Sequence, residues 1–474
     1  MTPLRALLLV PLAVLFAVSS HDAAETPKPE KPKATQLKTT KPKSTAPLGT
    51  TPKQDQEKLR KRYPVPFPPT LKEVVTERTD AFLKPGPNLR EGVEIAKVAP
   101  VVDFAFYPEQ NYIGNPWSHR SDGIVVGDVY YSSTNDHLAP IGTAHLWAYD
   151  GAQKTFRKLC DTSRFLESKN AFPPDMNYRP GEMQSRIEFG SDGRLYYCTD
   201  RGSPTVTHDG NKWKGEWILA TDPKTGESEI VSQWPVDRHT MPCSLVDPAR
   251  DLMYVGTAVG RDAPNQKIQF FVLDLKTRKI KFQCDDGPYR VCFYSPSHGG
   301  RVYWDGKCYA PATNQVTPAN VPNVRSATRE TPQGLIYGTS GTKADLWSYN
   351  PKTDELKQLG NIGVGTIEYI SSLEADPTGR YLYYVPGAHG GADNDGSPVV
   401  QYDLKTGRRK VLAFLYDTFW KKYKFGLYGS FGNALDAKGE RFFISWDRNR
   451  EGSKPPESVA LTVLHIPAEE RKLD

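Results

Sequence analysis

Residues able to transfer protons or bind carboxylates lie in the polar segments that separate predicted strands. Arg186 lies at the start of one short strand pair at residues 185–199, Asp200 follows that pair, and His239 precedes another. A carboxylate or an imidazole can take up a proton, and a guanidinium binds a carboxylate through two parallel N–H groups. We therefore expect His239, Asp200 and Arg186 to form a catalytic group, with Asp200 or His239 as the base.

Further polar residues near the ends of the predicted loops are expected to bind a substrate. They are Gln184, Arg201, Arg238, Arg290, Tyr369 and His389. His389 lies in the segment PGAHGGADNDG, which is compatible with a ligand site and equally with a Gly/Asp turn. The acidic residues of this segment, Asp393 and Asp395, make a divalent cation (Ca²⁺ or Zn²⁺) the one cofactor to consider, although this short spacing does not identify a metal site.

The six cysteines give no metal or redox motif. They are Cys160, Cys198, Cys243, Cys284, Cys292 and Cys308, and no CxxC pair occurs among them. Cys284 and Cys292 flank a Gly-Pro turn and are the pair expected to form a disulfide after export. Buried free thiols are the alternative, because several of these cysteines fall within strand patterns.

The segments that must position these residues are repeated β-hairpins. The hairpin at 346–359, LWSYNPKTDELKQL, has close copies at 146–159, 218–231, 271–282 and 400–412 and a weaker one at 462–473. Each alternates apolar and polar residues around a turn. Further strand pairs precede these hairpins, most clearly at 185–199, 244–257, 326–339, 371–385 and 432–446. One unit is therefore four strands in about 40 to 50 residues, as in a propeller blade.

Seven such units predict an all-β fold, a seven-bladed β-propeller. The units are 101–160, 183–234, 240–284, 290–324, 325–360, 369–415 and 430–471, and a strand within 63–110 is expected to close the ring. A six-bladed propeller is the alternative, because the fourth unit is short. Trp147 and Trp347 occupy the same repeat position, so we expect them to pack between blades.

Three segments are expected along the 474-residue chain. Residues 1–19 have a short basic start, an apolar run and a small-residue cleavage site, which is typical of a secretory signal peptide. A retained membrane anchor is the alternative, although the apolar run is short for a bilayer. Residues 20–62 are rich in Lys, Pro and Thr and are expected to be a disordered linker. Residues 63–474 form the propeller domain.

The charge of the chain is concentrated in the linker. The whole chain carries +6, and residues 22–62 alone carry 11 basic against 5 acidic side chains. Residues 63–474 are thus nearly neutral, which excludes nucleic acid as a partner suggested by charge. The linker is expected to be a solvated spacer, or alternatively a tether to an acidic polymer or membrane surface. The predicted location is secreted, periplasmic or on the cell surface, and the oligomeric state is left open.

The phrases GSDGRLYYCTDRGSP, DPTGRYLYYVPGAHGGADNDG and ALTVLHIP resemble those of secreted bacterial seven-bladed propellers, a family of mostly uncharacterised proteins. The chain is more remotely similar to propeller polysaccharide lyases that act on ulvan and oligogalacturonate. That resemblance implies cleavage of a uronate polymer by β-elimination, with a histidine pair, tyrosine and arginine. Gln184 and Asp200 stand where relatives tend to have histidine, and glutamine cannot transfer a proton near neutral pH.

Two functions follow from these observations. The first is an exported enzyme that cleaves an anionic, uronate-containing polysaccharide by lyase-type elimination. The alternative is a propeller without catalytic activity that binds a glycan or a protein at the cell surface. The replacement of histidine by Gln184 and Asp200 favours the alternative.

Overall fold

The computed structural model describes residues 72–110, 117–119, 121–136, 143–201, 206–263, 266–450 and 458–473, without the side chains of 117–118 and 448–450. The predicted signal peptide at 1–19 and linker at 20–62 lie outside the described residues. Within the described ranges, no helix is both long enough and apolar enough to span a bilayer.

The described chain folds into seven β-sheets, one for each blade of a seven-bladed propeller, and the prediction of seven blades is confirmed. Three strands precede the first blade: β1 (Val74–Arg78), β2 (Glu94–Ile95) and β3 (Val101–Phe106). Blade 1 contains β4 (Trp117–Ser118), β5 (Ile124–Val126), β6 (Val129–Asp136), β7 (Ala144–Asp150) and β8 (Thr155–Asp161). Blade 2 contains β9 (Glu188–Phe189), β10 (Leu195–Cys198), β11 (Trp217–Thr221) and β12 (Ser228–Gln233).

The next three blades are four-stranded antiparallel sheets. Blade 3 contains β13 (His239–Asp247), β14 (Leu252–Val259), β15 (Gln269–Asp274) and β16 (Lys279–Asp285). Blade 4 contains β17 (Phe293–Ser295), β18 (Arg301–Trp304), β19 (Lys307–Ala310) and β20 (Gln315–Pro318). Blade 5 contains β21 (Ser326–Ala327), β22 (Ile336–Thr339), β23 (Asp345–Asn350) and β24 (Glu355–Asn361).

The last two blades also take up the strands that precede blade 1. Blade 6 contains β25 (Leu373–Ala375), β26 (Tyr381–Tyr384), β27 (Pro398–Asp403) and β28 (Arg409–Phe414), with β2 parallel to β28. Blade 7 contains β29 (Phe425–Leu435), β30 (Arg441–Arg450) and β31 (Ser458–His465). The α-helices are α1 (Thr162–Ser168) and α2 (Tyr416–Tyr423), and short 3₁₀ turns span Asp80–Leu83, Asp209–Asn211, Pro296–His298, Ala392–Asp395 and Ala468–Arg471.

Blade 7 joins the two ends of the described chain. Strand β3 pairs antiparallel with β31, with Phe104 opposite Thr462, and β1 pairs on the outer side of β3. The expected closing strand within 63–110 is therefore present. The prediction that blade 1 starts at residue 101 is wrong, because β3 packs the buried rings of Phe104 and Phe106 against blade 7 and α2.

The repeated hairpin turns share one local cause. In several blades an Asp or Asn ends the third strand or directly follows it, and its side-chain oxygen accepts hydrogen bonds from backbone N–H groups two or three residues later. This holds for Asp150, Asp222, Asp274, Asn350 and Asp403. Such side-chain turns compete with strand continuation and reverse the chain. They explain why the pattern Asp-x-Lys-Thr recurs along the sequence.

Tryptophans fill the space between the blades, as expected. Trp147 and Trp347 occupy matching positions in the third strands β7 and β23 and are almost fully buried. Their Nε1 atoms donate hydrogen bonds to Thr134 (2.9 Å) and Ser340 (3.1 Å). A buried indole needs such a partner for its N–H group. These residues are therefore structural.

The blade topology separates two faces of the ring. In an antiparallel four-stranded blade, the turns after the first and third strands lie at one end, which we call the turn face. The loops between the second and third strands, and the connections between blades, lie at the other end, which we call the loop face. The innermost strands begin at the loop face and line the centre of the ring.

Candidate functional site

A small cavity lies at the centre of the ring, where the innermost strands begin, and we call it the arginine pocket. It is lined by Asp122, Gln184, Arg186, Pro242, Cys243, Ser244, Arg290, Val291, Cys292, Arg325, Ser371 and Phe431. The cavity holds about 50 Å³. Three guanidinium groups and one carboxylate line it, so the pocket has an excess of positive charge.

One of the three arginines is neutralised within the pocket. Nε of Arg186 donates to Oδ2 of Asp122 at 3.1 Å, and Nη2 donates to the carbonyl oxygen of Ala327 at 3.1 Å. Arg186 thereby links blade 2 to blades 1 and 5. Burial raises the pKa of Asp122, while the charge of Arg186 opposes that rise. This pair holds the innermost strands together and contributes little net charge.

The other two arginines, Arg290 and Arg325, form no ion pair with any carboxylate among the described residues. Nε of Arg325 donates to the hydroxyl of Tyr369, and the guanidinium carbon lies 4.6 Å from the centre of the Tyr369 ring. Its Nη2 atom is buried, and no described atom accepts a hydrogen bond from it. Burial lowers the pKa of Arg325. A desolvated cation in this state favours an anionic ligand.

Aromatic rings cover one side of the arginine pocket. The imidazole of His389 stacks on Tyr369 with ring centres 4.9 Å apart and planes 19° apart. The same imidazole is nearly perpendicular to the ring of Phe431, and the two ring centres are 5.0 Å apart. His389 is solvent-exposed, whereas Tyr369 is half-buried. The stack therefore leads from the surface of the loop face into the pocket.

A buried carboxyl pair lies beside the pocket in blade 2. Oδ1 of Asp200 accepts the backbone N–H of Arg201 at 2.7 Å, and burial raises the pKa of Asp200 against the charges of Arg201 and Arg290. Burial and the charge of Asp200 raise the pKa of Glu216 to about 8. Tyr178, Thr199 and Trp213 donate hydrogen bonds to the Glu216 carboxyl group. Carboxyl groups so held can store a proton at neutral pH.

The structure brings together some of the residues predicted for the site. Arg186, Arg290 and Gln184 line the pocket, and Nε2 of Gln184 donates to Glu182 at 2.7 Å. Tyr369 and His389 reach it through Arg325 and Phe431. Asp200 is 1 % exposed. The positive charge of Arg290, a residue of the pocket, opposes the rise that burial causes in the pKa of Asp200. Most of these residues lie close to the loop-face ends of the innermost strands.

Six of the nine predicted residues are not part of the pocket lining, and three of these six, His239, Arg238 and Arg201, are held by other partners. His239 is buried within blade 3, where Nδ1 lies 2.8 Å from Oγ1 of Thr257. Arg238 bonds to Asp209 and to the carbonyl oxygen of Asp262, each at 2.6 Å, and so fastens two loops. Nη1 of Arg201 donates to the carbonyl oxygen of Val259 at 3.5 Å. Each side chain is engaged by its own or the adjacent blade.

Sequence reasoning missed Arg325, Asp122 and Phe431. A signal was nevertheless available for two of them. Arg325 and Phe431 directly precede the strand pairs that begin at 326 and 432, just as Gln184 precedes the pair that begins at 185. Residues in this repeat position lie at the loop-face end of the innermost strands. The repeat alignment therefore marks the pocket better than residue type does.

The acidic segment near His389 has a structural role. Oδ1 of Asp395 accepts the hydroxyl of Thr366 at 2.6 Å, and Oδ2 accepts the backbone N–H of Ile367 at 2.8 Å. Asp395 thus fastens its loop to the preceding blade connection. In the part of the chain that the structure describes, no group of three or more His, Cys, Asp or Glu residues could hold a metal ion.

A larger cavity of about 840 Å³ opens at the turn face. Three of the four acidic residues that line it accept hydrogen bonds from backbone or hydroxyl groups, and burial raises the pKa of the fourth, Glu374, to about 7. Asp376 and Asp436 accept backbone N–H groups of their own turns at 2.7 Å. Glu330 accepts the hydroxyl of Ser295 at 3.0 Å. The arginine pocket has uncompensated positive charge, whereas Asp376, Asp436 and Glu330 of the turn-face cavity have protein partners. We therefore take the arginine pocket as the functional site.

Comparisons with known proteins find similarity only among solved structures. No protein-family model and no curated protein matches the chain. An oligogalacturonate lyase in complex with manganese has a TM-score of 0.49 at 13 % identity, covering 83 % of this chain and 100 % of the lyase. An oligogalacturonate lyase from Vibrio parahaemolyticus has a TM-score of 0.48 at 10 % identity, covering 82 % and 100 %. The β-propeller domain of a Pyrococcus furiosus protease has a TM-score of 0.43 at 10 % identity. The match covers 74 % of this chain and 94 % of that domain. These likenesses concern the β-propeller fold alone.

Proposed function

We propose that the arginine pocket binds a carboxylate of an acidic, uronate-containing polysaccharide. The observation that carries this proposal is the state of Arg325 and Arg290, which lie in the pocket without an ion pair to any described carboxylate. A bound carboxylate would accept hydrogen bonds from these guanidinium groups and replace the solvation lost on burial.

The size of the pocket supports recognition of a single charged group. A cavity of about 50 Å³ is far smaller than the pockets that enclose whole small molecules. The sugar rings would therefore lie above the pocket, on the loop face. The stacked rings of Tyr369 and His389 offer an apolar surface there. A chain polymer suits this arrangement, because it can lower one carboxylate into the pocket while its neighbours remain on the surface.

Lyase-type elimination is the second candidate, favoured by the position of Tyr369 and His389 beside the proposed carboxylate site. Neutralising a uronate carboxylate makes its C5 proton more acidic, because the charge that develops on proton removal is stabilised. The Tyr369 hydroxyl, held by Arg325, and the His389 imidazole are the groups placed to remove that proton and to protonate the departing O4 oxygen. In this scheme Tyr369 and His389 do the proton transfer, and Asp200 and His239 do not.

Calorimetric titration of the whole protein with oligogalacturonate and with a neutral oligosaccharide of equal length tests the binding proposal. We expect binding of the acidic ligand that weakens as salt is added, and no measurable heat with the neutral ligand. Equal binding of the two ligands, or none of either, would refute it. Incubation with polygalacturonate and ulvan then tests elimination, because cleavage would produce the ultraviolet absorbance of unsaturated uronate. Binding without this absorbance would exclude the lyase candidate for these polymers.

A further inference from the structure

Two thiols meet in the wall of the arginine pocket. Sγ of Cys243 lies 3.5 Å from Sγ of Cys292. Cys243 lies in the innermost strand of blade 3, and Cys292 immediately precedes the innermost strand of blade 4. Both are buried, with 3 % and 1 % of their surfaces exposed, and both line the pocket. The contact therefore bridges two neighbouring blades at the centre of the ring.

We infer that Cys243 and Cys292 form a reversible disulfide that joins blade 3 to blade 4. A disulfide bond is about 2.05 Å long, so the sulfur atoms need to approach by roughly 1.5 Å. The backbone at both positions can supply this movement. The pairing of β13 with β14 is irregular between Thr240 and Cys243, and Cys292 precedes the regular pairing of β17, which begins at Phe293.

The reaction needs a disulfide oxidant, and glutathione disulfide represents the class. One thiolate attacks the oxidant, forms a mixed disulfide and releases a glutathione thiolate; the second thiolate then displaces the second glutathione. Two thiols lose two protons and two electrons, and the oxidant becomes two thiols. The contact with Cys243 and burial both raise the pKa of Cys292, so the exchange is expected to be slow and to speed up at alkaline pH.

The pair differs from the one that the sequence suggested. Cys284 lies on β16, the outermost strand of blade 3, and is half-buried, whereas Cys292 is at the centre of the ring. The Gly-Pro turn between these two cysteines connects the outside of one blade to the inside of the next. Closeness in sequence is therefore a poor guide to pairing here. All six cysteines are free thiols in the structure.

Mass spectrometry of the full-length protein tests the inference. One sample is incubated with glutathione disulfide and another with dithiothreitol; both are then denatured in N-ethylmaleimide and digested. We expect the oxidised sample to contain a linked peptide pair with Cys243 and Cys292, and the reduced sample to contain both as alkylated peptides. Alkylation of both cysteines after full oxidation, or a link from either to another cysteine, would overturn the inference.

Two variants make this experiment specific. In Cys243→Ser no linked peptide pair should form, and Cys292 should be found alkylated after reduction and either alkylated or as the mixed disulfide with glutathione after oxidation. In Cys198→Ser, which changes another buried thiol near Cys243, the linked peptide pair should still form. Oxidation should also raise the melting temperature of the unmodified chain and of Cys198→Ser, but not that of Cys243→Ser, because the cross-link restricts the unfolded chain. These measurements involve no glycan, so their outcome is independent of the proposed function.

Discussion

The positive charge of Arg325 has no carboxylate partner among the described residues, and this is why we propose that the residue binds an anion. Its Nε atom donates to the hydroxyl of Tyr369, and its Nη2 atom is buried with no acceptor among the described residues. Arg186, by contrast, has Asp122 as a partner at 3.1 Å. Two arginines in one small cavity thus have different roles. One holds the innermost strands together, and the other is available to an anion.

Replacing Arg325 by alanine should weaken the binding of oligogalacturonate. A hydrogen bond to a charged group contributes about 1.5–3 kcal/mol, which corresponds to a loss in affinity of roughly 10- to 150-fold. Arg325→Lys should lie between alanine and the unmodified chain, since it keeps the charge and loses the planar fork. Arg408→Ala, at an exposed position of the turn face, is the matched control and should bind normally. Similar losses in both alanine variants would argue against the pocket.

Glu216 should make the protein less stable as the pH rises from 5 to 8. Its pKa is about 8 in the folded chain and near 4.5 in the unfolded chain, so the folded state retains a proton over this range. Stability falls with pH wherever the folded state binds more protons. In Glu216→Gln the melting temperature should fall less between pH 5 and 8 than in the unmodified chain. Parallel pH profiles of the two proteins would contradict the buried carboxyl pair.

At the residue scale, the sequence identified the types of side chain better than their surroundings. Gln184, Arg186 and Arg290 were predicted and do line the pocket. His239 was predicted from its position at the start of an innermost strand, but its ring turns toward Thr257 of the neighbouring strand. The direction of a side chain at a strand end depends on local register, and β13 is irregular within two residues of this position. Composition and spacing contain no such information.

The loop at 386–398 is the element that presents His389 to the site. It packs tightly on β29 of blade 7: a Cβ atom at Gly390 would lie 1.7 Å from the ring of Tyr428. Gly390 also has a φ of +108°, which disfavours other residues. The backbone of Gly387 donates to the carbonyl oxygen of Tyr369 at 2.8 Å. The position of the His389–Tyr369 stack therefore depends on this glycine-rich segment.

Gly390→Ala should displace His389 and lower the affinity for oligogalacturonate by about tenfold, because a contact worth roughly 1–2 kcal/mol is lost. It should also destabilise the fold by about 1–3 kcal/mol through overpacking. Gly341→Ala is the control: its φ is +60° and nothing lies within 4 Å of the added carbon. That variant should show strain of about 1 kcal/mol and unchanged affinity. Titration and thermal unfolding of both variants measure these effects; unchanged affinity in Gly390→Ala would remove His389 from the site.

At the element scale, hairpins with repeated turn chemistry could be predicted well. The Asp and Asn residues that form the turns recur at the same place in each hairpin, and their hydrogen bonds are local. Strand β1, at Val74–Arg78, lies outside the repeated hairpins and could be predicted less well. Its β-branched residues favour a strand. A strand also needs a pairing partner, and the partner of β1 is β3, which follows more than 20 residues later in the sequence.

The ring is closed by strands from both ends of the described chain. Strand β3 covers the edge of β31, and its aromatic residues join the largest group of buried apolar side chains, which also includes Phe419 and Phe425 of α2 and blade 7. An exposed strand edge would otherwise remain. Closure therefore couples the N-terminal strands to the stability of blade 7.

A chain beginning at residue 72 should melt at the temperature of the full-length protein, whereas one beginning at residue 107 should unfold at a clearly lower temperature or aggregate. The second truncation removes β3 and the rings of Phe104 and Phe106, and each buried phenylalanine contributes about 3–5 kcal/mol. Thermal unfolding followed by circular dichroism compares them. Equal melting temperatures would show that β3 is dispensable for closure.

At the scale of the whole molecule, the blade number followed from counting repeats, because each blade is a local unit of hairpins. The start of blade 1 could not be predicted in this way, because the strand at 101–106 pairs with a strand that lies more than 350 positions later in the sequence. The site has the same dependence on distant parts of the chain: its residues come from blades 1 to 7. Individual repeats predict the scaffold, but the ring brings the pocket together.

A crystal structure of the protein with trigalacturonate tests the central claim most directly. We predict that a carboxylate oxygen of the ligand lies within hydrogen-bonding distance of Arg325 and Arg290, with the sugar ring over Tyr369 and His389. Ligand bound instead in the cavity of the turn face, or on the loop face with no carboxylate on Arg325, would contradict the account.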